Sequence, residues 1–96
     1  MAEILNDEQA DEAVTKLSGW TRDGVTIERT ANLPTFPKAI EVVGEVAELA
    51  EAADHHPDID IRWRTVTFRL STHSAGGLTE KDFSLASQID GVLDAV

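Results

Sequence analysis

Ninety-six residues, 42% hydrophobic and 27% charged, are the size and composition of one globular domain spanning positions 1–96. A net charge of −10 argues against direct binding to nucleic acid or an anionic membrane, because phosphate recognition runs on clustered Lys and Arg. The absence of cysteine excludes disulfides, a thiolate nucleophile and a thiolate metal site. No apolar run is long enough to span a bilayer, and Met1-Ala2-Glu3-Ile4 has no basic region leading into an apolar one, so the expected location is the cytoplasm.

The first helix is expected to start at Asn6, a good N-cap residue with Gln9 three positions on, and to end at Gly19. Ala10, Ala13, Val14 and Leu17 supply its apolar stripe. Trp20 to Arg22 reads as a short strand, and Asp23-Gly24 as the centre of a two-residue hairpin loop. Val25, Ile27, Ala31 and Leu33 then alternate with polar residues, the pattern of a strand with one buried face, interrupted on that face by Arg29.

Thr35 and Pro37 open the longest helix, with Thr35 as N-cap. Lys38, Glu41, Gly44, Glu45, Glu48 and Glu51 fall on one polar arc of roughly 140°. The apolar remainder, from Phe36 to Ala53, is wider than one sheet contact requires. It predicts a second contact, with a neighbouring helix or another subunit. Pro57 is expected to stop the helix just past His56.

Asp58 to Thr72 is β in character. One continuous strand would carry its end about 50 Å from the helix terminus. A hairpin turning near Trp63-Arg64 instead returns Ser71-Thr72-His73 beside it, and this is the expected arrangement although no glycine marks the turn. Ser74-Ala75-Gly76-Gly77 is a loop, and Thr79-Glu80-Lys81-Asp82 a capping box opening a last helix with Phe83, Ala86, Ile89 and Leu93 inward. The expected fold is α+β: a two-layer arrangement of four antiparallel strands with three helices on one face, in the order α-β-β-α-β-β-α.

All three histidines lie between Glu51 and Asp82. Imidazole is the one side chain whose ordinary titration falls near neutrality, so His55, His56 and His73 with flanking carboxylates point to proton transfer. Each residue also has a plainer reading. His55-His56-Pro57 is a common helix ending, and His73 stands at a strand end. Asp82 occupies a capping position, Glu51 belongs to a solvated acidic face, and Trp63 suits a core or interface. Zinc is a rival, but adjacent histidines on a helix point about 100° apart and chelate poorly, and the metalloprotease helix pattern is absent. No Gly-x-Ser-x-Gly turn supports a serine hydrolase.

Glu51, three residues, His55-His56-Pro57, five residues, Trp63, nine residues, His73, eight residues and Asp82 together resemble the signature of the pterin-4a-carbinolamine dehydratases. Thr72 to Thr79, Leu85-Ala86 and Ile89-Asp90 are also similar to that family, and the likeness covers almost the whole chain. The resemblance implies a lyase that eliminates water from a 4a-hydroxytetrahydropterin to give quinonoid dihydropterin, in tetrahydrobiopterin recycling, without cofactor or metal. It implies that His55 and His73 flank the ring and protonate the leaving hydroxyl, while His56 serves as base or orients the ring. The backbone of Ser71, Thr72 and Ser74 would bind the polar edge of the pterin. Asp54 and Pro57 would line the pocket, Glu51 and Asp82 would orient the imidazoles, and Trp63, near the turn, would support the fold rather than touch ligand. Ile59 stands where many members carry an aromatic residue, which removes a ring-stacking contact there. A homodimer or homotetramer is implied, as is a second possibility: a protein-interaction or coactivator-like module using the second helix.

Overall fold

The structure is a computed structural model that describes residues 3–96; Met1 and Ala2, part of the stretch read above for a leader, lie outside the described residues. Its elements are α1 (Asp7–Thr15), β1 (Thr21–Asp23), β2 (Thr26–Asn32), α2 (Phe36–Ala53), β3 (Asp58–Arg62), β4 (Thr65–Leu70) and α3 (Glu80–Asp94), with a short 3-10 turn at His73–Ala75. The strands form one antiparallel sheet in the order β1-β2-β4-β3. This is the expected α+β order. Among the described residues no helix is long and apolar enough to cross a membrane.

The alternation predicted for the strands appears as burial. Ile27, Val66, Phe68 and Leu70 face the core, where they meet Ala39, Val42, Val46 and Ala50 of α2 and Leu85, Ala86 and Ile89 of α3. Leu85 joins the α3 stripe, while Phe83 and Leu93 sit at its margin, partly buried. On the outer face, residues directly opposed in the β2–β4 register pair through polar groups: Thr30 with Thr67 at 2.9 Å, Thr65 with Asn32 at 2.8 Å, and Arg69 with Glu28 at 2.8 Å. Directly opposed pairs of this kind favour one register over its neighbours.

The helix starts follow their capping residues. Asn6 and Gln9 exchange hydrogen bonds at 2.8 and 3.0 Å, and Thr35 Oγ1 accepts from the Lys38 amide at 3.2 Å. The ends differ from expectation. The first helix stops at Thr15, four residues before Gly19, as Lys16 and Leu17 tighten into i→i−3 bonds. Arg22 of β1 anchors it by donating to Asp11 at 2.8 Å and Asp7 at 2.5 Å. These two carboxylates, Asp11 first, push the guanidinium pKa up, which leaves an always-charged group charged.

The first hairpin corrects the sequence reading by one residue, and the second turns at Trp63-Arg64 as expected. In the first, Asp23 pairs with Thr26, so the loop is Gly24-Val25 rather than Asp23-Gly24. Gly24 takes φ 60° at the first central position, the one that favours glycine. In the second, Arg62 pairs with Thr65, and Trp63 takes that position with φ 55°. A left-handed non-glycine residue costs about 1 kcal/mol. The turn is braced by the Leu33 amide donating to the Arg64 carbonyl at 2.8 Å and by the Arg64 guanidinium 5.1 Å from the Trp63 ring centroid.

The wide apolar arc of α2 divides in two. Ala39, Val42, Val46 and Ala50 are buried, and α2 packs on α3. Phe36 and Ile40 remain 47% and 45% exposed, with Val43 half-buried beside them. Spaced three and four residues apart, they form one continuous apolar ridge.

Candidate active site

The site begins where α2 ends. Its last residue is Ala53, and Asp54 turns left-handed with φ 50°, ψ 44°, a conformation Asp tolerates better than most side chains. The helix therefore stops before the histidines, not at Pro57. The His55 amide reaches back to the Ala50 carbonyl at 3.0 Å, closing the helix with a Schellman-type bond. Because His55 and His56 lie beyond this turn, the 100° helical offset does not govern them. His55 turns into the protein and His56 faces solvent.

The partner of His55 comes from the start of α3. Asp82 is the N3 residue of the capping box, and its Oδ2 accepts from the Thr79 amide at 3.0 Å. Only one carboxylate oxygen is used for capping. The other, Oδ1, lies 2.6 Å from His55 Nε2. Capping and orienting a histidine are thus performed by one side chain, which is fully buried. Oδ2 also accepts from the Thr72 hydroxyl at 2.7 Å, and that hydroxyl lies 2.8 Å from Thr79 Oγ1. A buried carboxylate with this many donors is satisfied rather than stranded.

The β3–β4 hairpin completes the convergence. Asp58 pairs with Arg69, so the chain entering β3 and the chain leaving β4 emerge at the same end of the sheet. His55, His56 and Pro57 are therefore beside Ser71, Thr72 and His73, which follow β4. Thr72 ties the two segments together, since it and His55 bind opposite oxygens of Asp82. His73 is the next residue, exposed, and its imidazole makes no hydrogen bond among the described residues. His56 Nε2 lies 2.5 Å from Glu51 Oε1, an exposed pair that contributes little to stability but sets the ring's direction.

Of the remaining predicted positions, Asp54 and Ser74 are exposed and Pro57 and Ser71 half-buried around this end of the sheet. The Thr72 amide donates to the Gly77 carbonyl at 3.1 Å, and its own carbonyl accepts from Ala75 and Gly76 at 3.0 Å, with Gly76 at φ 75°. The loop's internal bonds do not use the backbone of Ser71 or Ser74. Trp63 is not part of the cluster. It sits at the far end of the hairpin, 73% exposed. What the sequence reading missed is the side chain of Thr72, noticed only for its backbone. The available signal was a threonine seven residues before the capping Thr79, but nothing local says that their hydroxyls meet.

The arrangement offers three imidazoles at one sheet end, one locked by a buried carboxylate and two open to solvent. Imidazoles so placed can donate and accept protons. The α+β fold with this histidine cluster defines the class, and comparison with known proteins agrees. The family model described as pterin 4 alpha carbinolamine dehydratase matches residues 3–92. A protein of Roseiflexus castenholzii named "Putative pterin-4-alpha-carbinolamine dehydratase" is 61% identical over 93 residues, covering 97% of this chain and all of that one. One of the same name from Nocardia farcinica is 62% identical over 88 residues, covering 92% and 93%. A crystal structure of a transcriptional coactivator/pterin dehydratase from Brucella melitensis superposes with TM-score 0.90 at 29% identity, covering 94% and 98%. The chain belongs to the pterin-4a-carbinolamine dehydratase family.

Proposed function

We propose that this protein is a hydro-lyase that eliminates water from a 4a-hydroxytetrahydropterin, giving quinonoid dihydropterin. The observation that carries the reading is the bond between His55 and the fully buried Asp82, with His56 and His73 at the same sheet end. The C4a hydroxyl departs as water once it gains a proton, and N5 gives one up. The step therefore needs an acid and a base, and neither oxidant nor metal. His55 and His73 act on the leaving hydroxyl from the two faces of the ring, and His56, steered by Glu51, acts near N5. The backbone groups of Ser71 and Ser74 take the polar edge of the pterin, Thr72 contributes the shape of the loop, and Asp54 and Pro57 form the wall beside His55.

The wild-type protein, added to enzymatically generated carbinolamine, is expected to accelerate quinonoid dihydropterin formation above the spontaneous rate. Prior treatment with a chelator should leave that acceleration intact. A progress curve indistinguishable from the protein-free one overturns the proposal.

A second role is supported by the exposed Phe36–Ile40 ridge of α2, which suits self-association into a dimer or tetramer or docking of another protein. The name of the Brucella relative includes a coactivator role. Ile40→Glu is expected to lower the mass measured by light scattering from oligomer to monomer without loss of helical signal. A wild-type protein that is already monomeric removes the self-association reading.

A further inference from the structure

Hydrogen-bond direction around Asp82 can be worked out from the donors alone. Each threonine hydroxyl has one hydrogen to give. The Thr72 hydroxyl gives its hydrogen to Asp82 Oδ2 at 2.7 Å, so the 2.8 Å contact with Thr79 must be filled by the Thr79 hydroxyl donating to Thr72 Oγ1. The Lys81 amide in turn donates to Thr79 Oγ1 at 3.3 Å. The chain of donation therefore runs in one direction, from Lys81 through Thr79 and Thr72 to Oδ2. Thr79 and Asp82 are 0% exposed, Thr72 4% and His55 7%, so water has little access to reverse it.

With Oδ2 committed to Thr72 and the Thr79 amide, Oδ1 is the oxygen left for His55. A carboxylate only accepts, so the hydrogen of the 2.6 Å contact resides on Nε2 of the imidazole. The lone pair of neutral His55 is then on Nδ1. Among the described residues Nδ1 has no hydrogen-bond partner, and no buried side-chain nitrogen or oxygen lacks one, so Nδ1 opens outward.

We propose that Thr72 is a positioning residue: its hydroxyl, itself held by Thr79, commits Asp82 to Nε2 of His55 and leaves Nδ1 as the nitrogen that exchanges protons with substrate. Without that hydroxyl, Oδ2 loses a donor and the carboxylate can rotate away from the imidazole. Thr72→Val keeps the shape and removes the hydroxyl, whereas Thr72→Ser keeps the hydroxyl. The activity arm rests on the dehydratase reading; the spectroscopic arm does not.

In ¹⁵N-histidine-labelled protein on the alkaline side of the imidazole titration, His55 is expected to give a pyrrole-type Nε2 and a pyridine-type Nδ1. Thr72→Val should move His55 toward a mixture of the two tautomers and lower kcat on the order of tenfold with KM little changed, and Thr72→Ser should recover most of both. A wild-type His55 carrying its hydrogen on Nδ1 overturns the inference, and so does a folded Thr72→Val protein with wild-type kcat and spectrum. If the valine variant does not fold, the wild-type and serine spectra decide, because both must show the Nε2–H tautomer. If the wild-type protein has no dehydratase activity, that reading fails alone, and the tautomer measurements still test the role of Thr72.

Discussion

His73→Ala and His55→Ala are each expected to slow quinonoid dihydropterin formation on the order of 10²-fold or more, the range contributed by a positioned general acid or base. The two substitutions do not report equally cleanly. His73 is exposed and its imidazole has no hydrogen-bond partner among the described residues, so its removal disturbs no buried group. His55 is 7% exposed and supplies a donor to Asp82, so His55→Ala also takes a hydrogen bond from a buried carboxylate and leaves a small cavity. A thermal melt should therefore accompany the rate. His73→Ala is expected to melt with wild type, and His55→Ala lower. His56→Ala should have the smallest effect of the three, because its ring is solvated and paired with the exposed Glu51. Equal rates for wild type and all three variants would eliminate histidine catalysis at this site.

Asp90→Ala is expected to be the most destabilising single change outside the site. Arg29 stands on the inward face of β2, opposite Phe68, where an unpaired guanidinium would be costly. It donates to Asp90 Oδ1 of α3, and the same oxygen accepts from the buried Trp20 indole at 2.7 Å. One carboxylate therefore satisfies two donors and joins α3 to β2 and to the segment before β1. Its loss leaves both donors in a site where the Arg29 and Asp90 side chains are only 19% and 15% exposed. Breaking such a pair from one side costs about 3 kcal/mol, which for a domain of this size lowers Tm by roughly 12–24 °C. Asp90→Asn keeps an acceptor for the indole and should fall between. A circular-dichroism melt within about 2 °C of wild type for Asp90→Ala would show that the clamp contributes almost nothing.

Much of this architecture was legible along the chain because it depends on neighbours in sequence. Asn6 with Gln9, Thr35 before Pro37, and Thr79 with Asp82 mark helix starts by satisfying amides three residues away, and the structure uses each of them. Alternation in β2 and β4 set which side chains face inward. The reach of an extended chain was enough to require a turn between Asp58 and Thr72.

The remaining features were decided by contacts distant in sequence. The order β1-β2-β4-β3 rests on pairing between β2 and β4, about forty residues apart at Glu28 and Arg69, and no local pattern specifies that neighbour. Two left-handed residues, Asp54 and Trp63, carry no glycine to announce them. Their conformations persist because burial of His55 on Asp82 and the bracing of the 63–64 turn offset a local strain of about 1 kcal/mol each. Arg29 looked like a flaw in a strand until its partner appeared 61 residues away. The sequence by itself determined the element types, the inward faces and the chemical kind of the histidine cluster, because these follow from local propensity and periodicity. Only the tertiary structure decided that Asp82 serves His55 and a helix cap at once, with Thr72 between them, because a shared buried acceptor exists only once distant segments have excluded water together.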